Sequence, residues 1–281
     1  MMTGLVHLAV AMSAVANAIG RFFLAPVAYL PGWLSATIIA VVTGLLLLFV
    51  FRFTSNQAAI KRVRNGIKAN LLALKLFKDS PIVTFRAQGC IYWGAFRLML
   101  YAIVPMLVMA VPVCLLLSQI ALWYEARPLH AGEEAVIEVK VKSQQGESIP
   151  EVTMSPSPAC DVIVGPVHVA TEGSLYWRVR AKTPGQHHLR FNIAGTSCEK
   201  DFVVGEGFQR VSLVRPGLRW SDILSHPCEP PFDAASVVQS IAIDYPDRVS
   251  WTTGSKTWLA YWFIVSMVAA FVAKPWFNVN F

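Results

Sequence analysis

Beyond its charge-free, small-residue start at Met1–Gly20, this chain has three long stretches with no charged side chain: between Arg21 and Arg52, between Arg97 and Glu125, and between Lys256 and Lys274. Crossing the hydrocarbon core of a bilayer as a helix takes roughly 20 apolar residues. The stretches supply three predicted transmembrane helices, over residues 33–53, 98–124 and 257–273. Trp33, Tyr101, Trp123, Tyr124, Trp258, Tyr261, Trp262 and Trp276 gather near their ends, where amphipathic rings settle at the membrane–water boundary. Composition agrees: 15 % of the residues are charged and 55 % hydrophobic, against about a quarter charged in a typical soluble domain.

Orientation follows from the basic residues. Residues 52–97 hold Arg52, Lys61, Arg62, Arg64, Lys68, Lys75, Lys78, Arg86 and Arg97 against the single acid Asp79. Short loops rich in Lys and Arg stay on the cytoplasmic side. This places residues 54–97 inside, the long segment 125–256 outside, and the tail 274–281 inside. The net charge of +7 therefore reads as membrane topology. Sequence-specific nucleic-acid binding is not expected, since no base-reading motif accompanies the charge.

Residues 1–32 have a different character. Thr3, His7, Ala14, Asn17 and Arg21 fall on one helical stripe, opposite Leu5, Leu8, Met12, Val15, Ile19 and Phe22. That pattern predicts a helix lying in the membrane interface, with a fourth span over residues 4–20 as the alternative. Thr54-Ser55-Asn56 then opens a long helical pattern from Gln57 to Lys78. Ile60, Val63, Ile67, Leu71, Leu74 and Phe77 form its apolar stripe. Lys78-Asp79-Ser80-Pro81 interrupts it, and a second helix runs from Ile82 into the next span. An antiparallel coiled-coil hairpin seamed by these stripes is expected.

From Ala135 the period changes to two. Ile137, Val139 and Val141, then Leu175, Trp177, Val179 and Ala181, then Leu189, Phe191 and Ile193 alternate with polar residues, as half-buried strands do. Thr183-Pro184-Gly185-Gln186 marks a turn between the last two. With Val162–Val164, Phe202–Val204 and Val237–Ile243, these predict an antiparallel β-sandwich resembling immunoglobulin-like modules. The fold class is thus an α+β membrane protein, with three transmembrane helices, a cytoplasmic helical hairpin and an extracytoplasmic β-domain.

Conventional catalytic chemistry is not visible. There is no phosphate loop, nucleophile elbow or paired acidic site, and His187 and His188, adjacent on a strand, point to opposite faces. No cofactor, metal or enzymatic activity is expected. A disulfide between Cys160 and Cys198 is left open by their compartment and spacing. What the spans offer is mild polarity: Thr37, Thr43, Ser118, Gln119 and Ser266 are candidates to line a partly wet groove. Lys61, Arg62, Arg64, Lys68 and Lys75 are candidates to dock an acidic partner.

The order of elements resembles the core of the YidC-like superfamily of membrane-protein insertases, in particular its three-span members. Residues 17–31, 33–51, the Thr54-Ser55-Asn56-Gln57 start, 57–97, 98–123 and 258–273 carry the likeness, a little over half of the chain. The resemblance implies a polar groove among the spans and assistance to the insertion or assembly of membrane proteins in the bacterial inner membrane. Nascent membrane proteins or the ribosome would meet the basic hairpin, and membrane lipids the spans. Arg52 and Arg97 sit at the cytoplasmic edge rather than mid-span, and the β-domain is additional to the minimal pattern. A second expectation, of another class, is a non-catalytic accessory or scaffold subunit that binds an envelope partner through its β-domain.

Overall fold

The computed structural model describes residues 2–77, 80–142, 152–169, 171–193 and 195–277. The chain is α+β and divides into two compact units, residues 1–36 with 114–261 and residues 37–113 with 262–281. Helices α1 (Met2–Phe23), α2 (Gly32–Thr54), α3 (Gln57–Leu76) and α4 (Pro81–Tyr124) come first, with a short 3₁₀ turn over Ala25–Tyr29 after α1. Strands follow as β1 (Glu134–Val141), β2 (Val152–Met154), β3 (Cys160–Val169), β4 (Ser174–Ala181), β5 (Gly185–Ile193), β6 (Thr196–Val204) and β7 (Val214–Arg215). Helix α5 (Trp220–Ser225), β8 (Val238–Ile243) and α6 (Trp258–Phe277) complete the chain.

The β-domain consists of two antiparallel sheets, in the orders β3-β4-β1-β8-β7 and β2-β5-β6. Alternation sets which face of each strand is buried. Ile137 stands opposite Trp177 and Ile243, and all three are buried. From the other sheet Leu189, Phe191 and Phe202 are fully buried, and both sheets share one hydrophobic core. Trp177 meets Phe191 edge to face with ring centroids 5.7 Å apart. Each such side chain contributes roughly 1.5–3 kcal/mol on leaving water, so this shared core is the main source of the domain's stability. Gly185 takes a φ of +138° at the predicted turn, a conformation that a residue with a Cβ adopts only with strain.

The second unit is helical. Helices α2 and α6 approach closely at Gly44 of α2, where an added Cβ would fall 2.6 Å from the Ser266 carbonyl oxygen of α6. Helices in lipid gain little from burying apolar surface, so small residues that let backbones approach take over that role. One residue along, the Trp262 indole N–H donates to Thr43 Oγ1 at 2.9 Å. Below the crossing, Leu48 packs with Ala273 and Phe277. Large apolar side chains such as Val42, Phe49, Val104, Leu107, Phe263 and Phe271 stand exposed on α2, α4 and α6. Such surfaces suit lipid, which asks only that the backbone polar groups be satisfied within each helix.

Among the described residues four helices are long and apolar enough to cross a membrane: α2, α4 and α6, which hold the three expected spans, and Gly4–Tyr29, where a fourth span was the alternative. The second predicted span is the C-terminal part of α4, whose 44 residues extend roughly 65 Å at 1.5 Å per residue. The third continues through Lys274 and Pro275 to Phe277, and residues 278–281 lie outside the described residues.

Asn56 caps α3, its Oδ1 accepting from Ala59 N at 3.0 Å, and Pro81 opens α4. The predicted break at Lys78 and Asp79 falls outside the described residues. The predicted seam is only partly formed. Val63 and Ile67 lie over Gly94, where an added Cβ would sit 2.6 Å from Ile67 Cγ1. Ile60 is buried and Leu74 half-buried, whereas Leu71 and Phe77 remain exposed. Cys160 and Cys198 are free thiols on opposite sheets, and burial pushes Cys160 up to about 11.

Candidate functional site

One face of α1 meets the β-domain: Ser13 and Gly20 are buried and Asn17 half-buried, whereas His7, Ala14 and Arg21 of the predicted polar stripe are exposed. Ser13 donates to the Ile223 carbonyl at 3.2 Å, and Asn17 donates to the carbonyls of Pro227 and Cys228. Its apolar stripe, with Leu5, Leu8, Val15, Ile19 and Phe22, stays exposed. Of the predicted polar stripe, Asn17 is the residue keyed into protein, and Ser13 beside it supplies the other contact.

Gln119, near the end of α4, joins the same network. It donates from Nε2 to Asn17 Oδ1 at 2.9 Å, and its Oε1 accepts from Arg210 at 3.1 Å. Arg210 Nη2 also donates to Asn17 Oδ1. Gly20 makes the approach possible, because a Cβ there would strike the Gln119 amide. The result is a three-residue knot of Asn17, Gln119 and Arg210, drawn from α1, α4 and the segment after β6. Burial, with Arg21 acting in the same direction, lowers the Arg210 pKa from its usual range.

Beside this knot lies a cavity of about 520 Å³, lined among others by Arg21, Tyr29, Trp123, His188, Asp201 and Arg210. Asp201 pairs with His188 Nδ1 at 2.8 Å. Two donors of the lining residues, Arg210 Nε and Trp123 Nε1, are buried without a hydrogen-bond partner.

Next to the cavity Lys200 and Glu229 form a buried ion pair of 2.5 Å. Lys200, fully buried, also reaches the Ser212 carbonyl at 2.7 Å and Ser212 Oγ at 3.2 Å. Ser212 gives its hydroxyl hydrogen to Glu229 Oε1, and the Asp201 N–H donates to Glu229 Oε2 at 3.2 Å. Ser212 is 2 % exposed and engaged on both sides, so this cluster is a satisfied structural ion pair and not an accessible nucleophile.

The groove candidates part company. Thr37, Thr43 and Ser266 belong to the helical unit, whereas Ser118 and Gln119 belong to the unit that holds the β-domain. Thr43 bonds the Ile39 and Ala40 carbonyls besides receiving Trp262. Ser118 donates to Leu115 O and Ser266 to Phe263 O. These three hydroxyls thus satisfy themselves on their own helices, as Ser and Thr commonly do in apolar surroundings. Thr37 is half-buried on α2.

The docking candidates Lys61, Arg62, Lys68 and Lys75 are exposed on α3 and Arg64 is half-buried. Among the described residues none of the five has a carboxylate within salt-bridge distance.

Strand β3 is the other unusual surface. It is an outer strand, and eight of its ten residues are exposed, including Val162, Ile163, Val164 and Val167. Its pairing with β4 shifts register twice, at Val162/Val164 and at Val164/Val167. Bulges of that kind blunt a sheet edge against strand addition. They do not hide apolar side chains.

Sequence reasoning missed two of these features. Lys200 shares strand parity with the buried Phe202 and Val204, so its inward direction was available from alternation alone. The partnership of Asn17 with Arg210, 193 positions apart, has no local signal. Comparison of the chain with protein-family models, with curated proteins and with solved structures gave no match.

Proposed function

We propose that this chain is a non-catalytic, membrane-anchored accessory or scaffold subunit of the bacterial inner membrane, whose β-domain binds an envelope partner outside the cytoplasm. The observation that carries this reading is β3. The facing strands bury every second residue, whereas β3 leaves Val162, Ile163, Val164 and Val167 exposed at 40–48 %. Exposed apolar side chains grouped on one strand mark an interaction surface on a protein that otherwise buries them. With its ladder interrupted by bulges, β3 engages the partner through side chains. As in immunoglobulin-like modules, a two-sheet scaffold holds such a strand in place while its core supplies stability. The keying of α1 and the end of α4 into the β-domain supports a fixed presentation of that surface at the membrane.

Replacing Ile163 and Val167 by lysine tests it. The change removes the apolar contact and keeps the β-domain core. Loss of partner association with unchanged thermal unfolding is the expected outcome. Unchanged association would exclude β3 as the contact.

The cations of α3, which have no carboxylate within salt-bridge distance among the described residues, favour a second reading, an insertase-like core with a cytoplasmic basic hairpin that receives nascent membrane proteins or the ribosome. Neutralising Lys61, Arg62, Arg64 and Lys68 impairs client delivery under that reading. It is nearly silent under the first.

A further inference from the structure

We propose that the cavity beside the Asn17–Gln119–Arg210 knot is a binding site for a phosphate oxyanion, carried either by a lipid headgroup or by a soluble phosphate. It goes beyond the partner surface on β3 and does not depend on it.

The first argument is charge. Arg21 and Arg210 both line the cavity. Among the described residues neither has a carboxylate within salt-bridge distance, while Asp201, the acid in the wall, is taken up by His188. Like charges converging on one space with little to offset them favour an anion between them.

The second argument is hydrogen bonding. Arg210 Nε and Trp123 Nε1 are buried donors with no acceptor. A buried polar group left unpaired costs roughly 1–3 kcal/mol, and native proteins leave few of them. Both unpaired groups at this wall are donors, so the complement is an acceptor-rich ligand. Phosphate presents several acceptor oxygens and suits the fork of an arginine.

The third argument is position. The cavity wall includes Arg21, Ala25, Ala28 and Tyr29, at the end of α1 and in the 3₁₀ turn. Phe22, Phe23 and Tyr29 there are 77 %, 70 % and 90 % exposed. An apolar rim beside a cationic cavity is what an amphiphile with a phosphate head requires.

The test uses the full chain in detergent, with bound ligand counted by native mass spectrometry. Dioctanoyl phosphatidylglycerol, dioctanoylglycerol without phosphate, and inorganic phosphate are the probes. Phosphatidylglycerol is expected to bind and dioctanoylglycerol not to bind. Arg21→Gln is expected to weaken the phosphate-bearing ligand about tenfold, as expected for loss of one charged hydrogen bond. Arg21 is exposed, and Trp123→Phe, which keeps a ring but removes the N–H, gives an independent reduction. If phosphatidylglycerol binds and millimolar inorganic phosphate does not displace it, the ligand is a headgroup. If inorganic phosphate binds alone and the lipid does not, the ligand is soluble. Absence of binding by both phosphate probes, equal binding of the phosphate-free lipid, or affinities unchanged in both variants would overturn the proposal.

Discussion

Basic residues behave oppositely in the two regions of this molecule. In the β-domain several are matched: Arg127 with Glu133, Arg180 with Glu134, Arg190 with Glu199 and Lys200 with Glu229 lie 2.5–2.8 Å from their partners. On α3 Lys61, Arg62, Lys68 and Lys75 are exposed and Arg64 is half-buried, and among the described residues none has such a partner. Matched charge answers a local need, either register between strands or a buried lysine. Unmatched charge on a helix answers to something outside the chain, whether the bias that orients membrane segments or an anionic surface. The two regions therefore differ in what a lost charge would cost, and that difference can be measured.

The sharpest break is at Glu229. Glu229→Gln leaves Lys200 charged and fully buried without its counter-ion, which costs about 3–5 kcal/mol when a buried pair is halved. Urea unfolding of the protein in detergent, followed by tryptophan fluorescence, should show the midpoint fall accordingly. A change under about 1 kcal/mol would mean that water reaches the pair.

Next comes a change that involves no charge. Gly44→Val places a side chain where the Ser266 carbonyl lies 2.6 Å from an ideal Cβ, and overpacking of this kind costs about 1–3 kcal/mol. Weaker α2–α6 association, read as lost disulfide trapping between cysteines placed on those helices, is expected. Unaltered trapping would contradict the close crossing.

The exposed pairs of the β-domain give a smaller effect, resolved by pH. The Arg127 guanidinium beside Glu133, helped by the His130 N–H, holds the carboxyl down at about 2. Because the folded value lies below the unfolded one, the stabilisation is present above pH of about 4.5 and fades as pH falls toward 2. Glu133→Gln should remove about 1 kcal/mol at neutral pH and flatten that part of the acid limb. An identical limb in the variant would show that the pair contributes nothing.

The smallest expected stability effect is on α3. Changing Lys61, Arg62, Arg64 and Lys68 to Gln should shift unfolding by less than about 0.5 kcal/mol per site. Cosedimentation with vesicles containing anionic lipid should nonetheless fall at low salt. Stability loss in place of binding loss would reverse the comparison drawn above.

Much of the fold was legible because two periods are hard to confuse. Ile137, Val139, Leu175, Trp177, Leu189 and Phe191 were assigned inward by alternation and are the buried core. Pro81 and Asn56 marked helix starts through their local chemistry. The limits of α1, α4 and α6 were less visible, since an apolar helix has no internal reason to stop at the membrane boundary. The site was mostly illegible. Gln119 was picked for its polarity, but its partners Asn17 and Arg210 come from distant segments that only the tertiary fold brings to it. Thr43 and Ser266 drew notice as polar atoms in lipid, although their own backbones and Trp262 satisfy them. Strand β3 was read as an ordinary strand from Val162–Val164, because alternation tells which residues face one another and not whether anything covers them.

The most direct measurement is photo-crosslinking in living cells from two sets of positions, Ile163 and Val167 on β3, and Thr43 and Ser266 on the helices. A membrane-anchored binding subunit predicts one discrete adduct with an envelope protein from β3, abolished by lysine at the neighbouring Val164, and lipid adducts alone from the helices. Adducts with stalled nascent membrane proteins from Thr43 and Ser266, with none from β3, would contradict it and make the insertase-like core the working description.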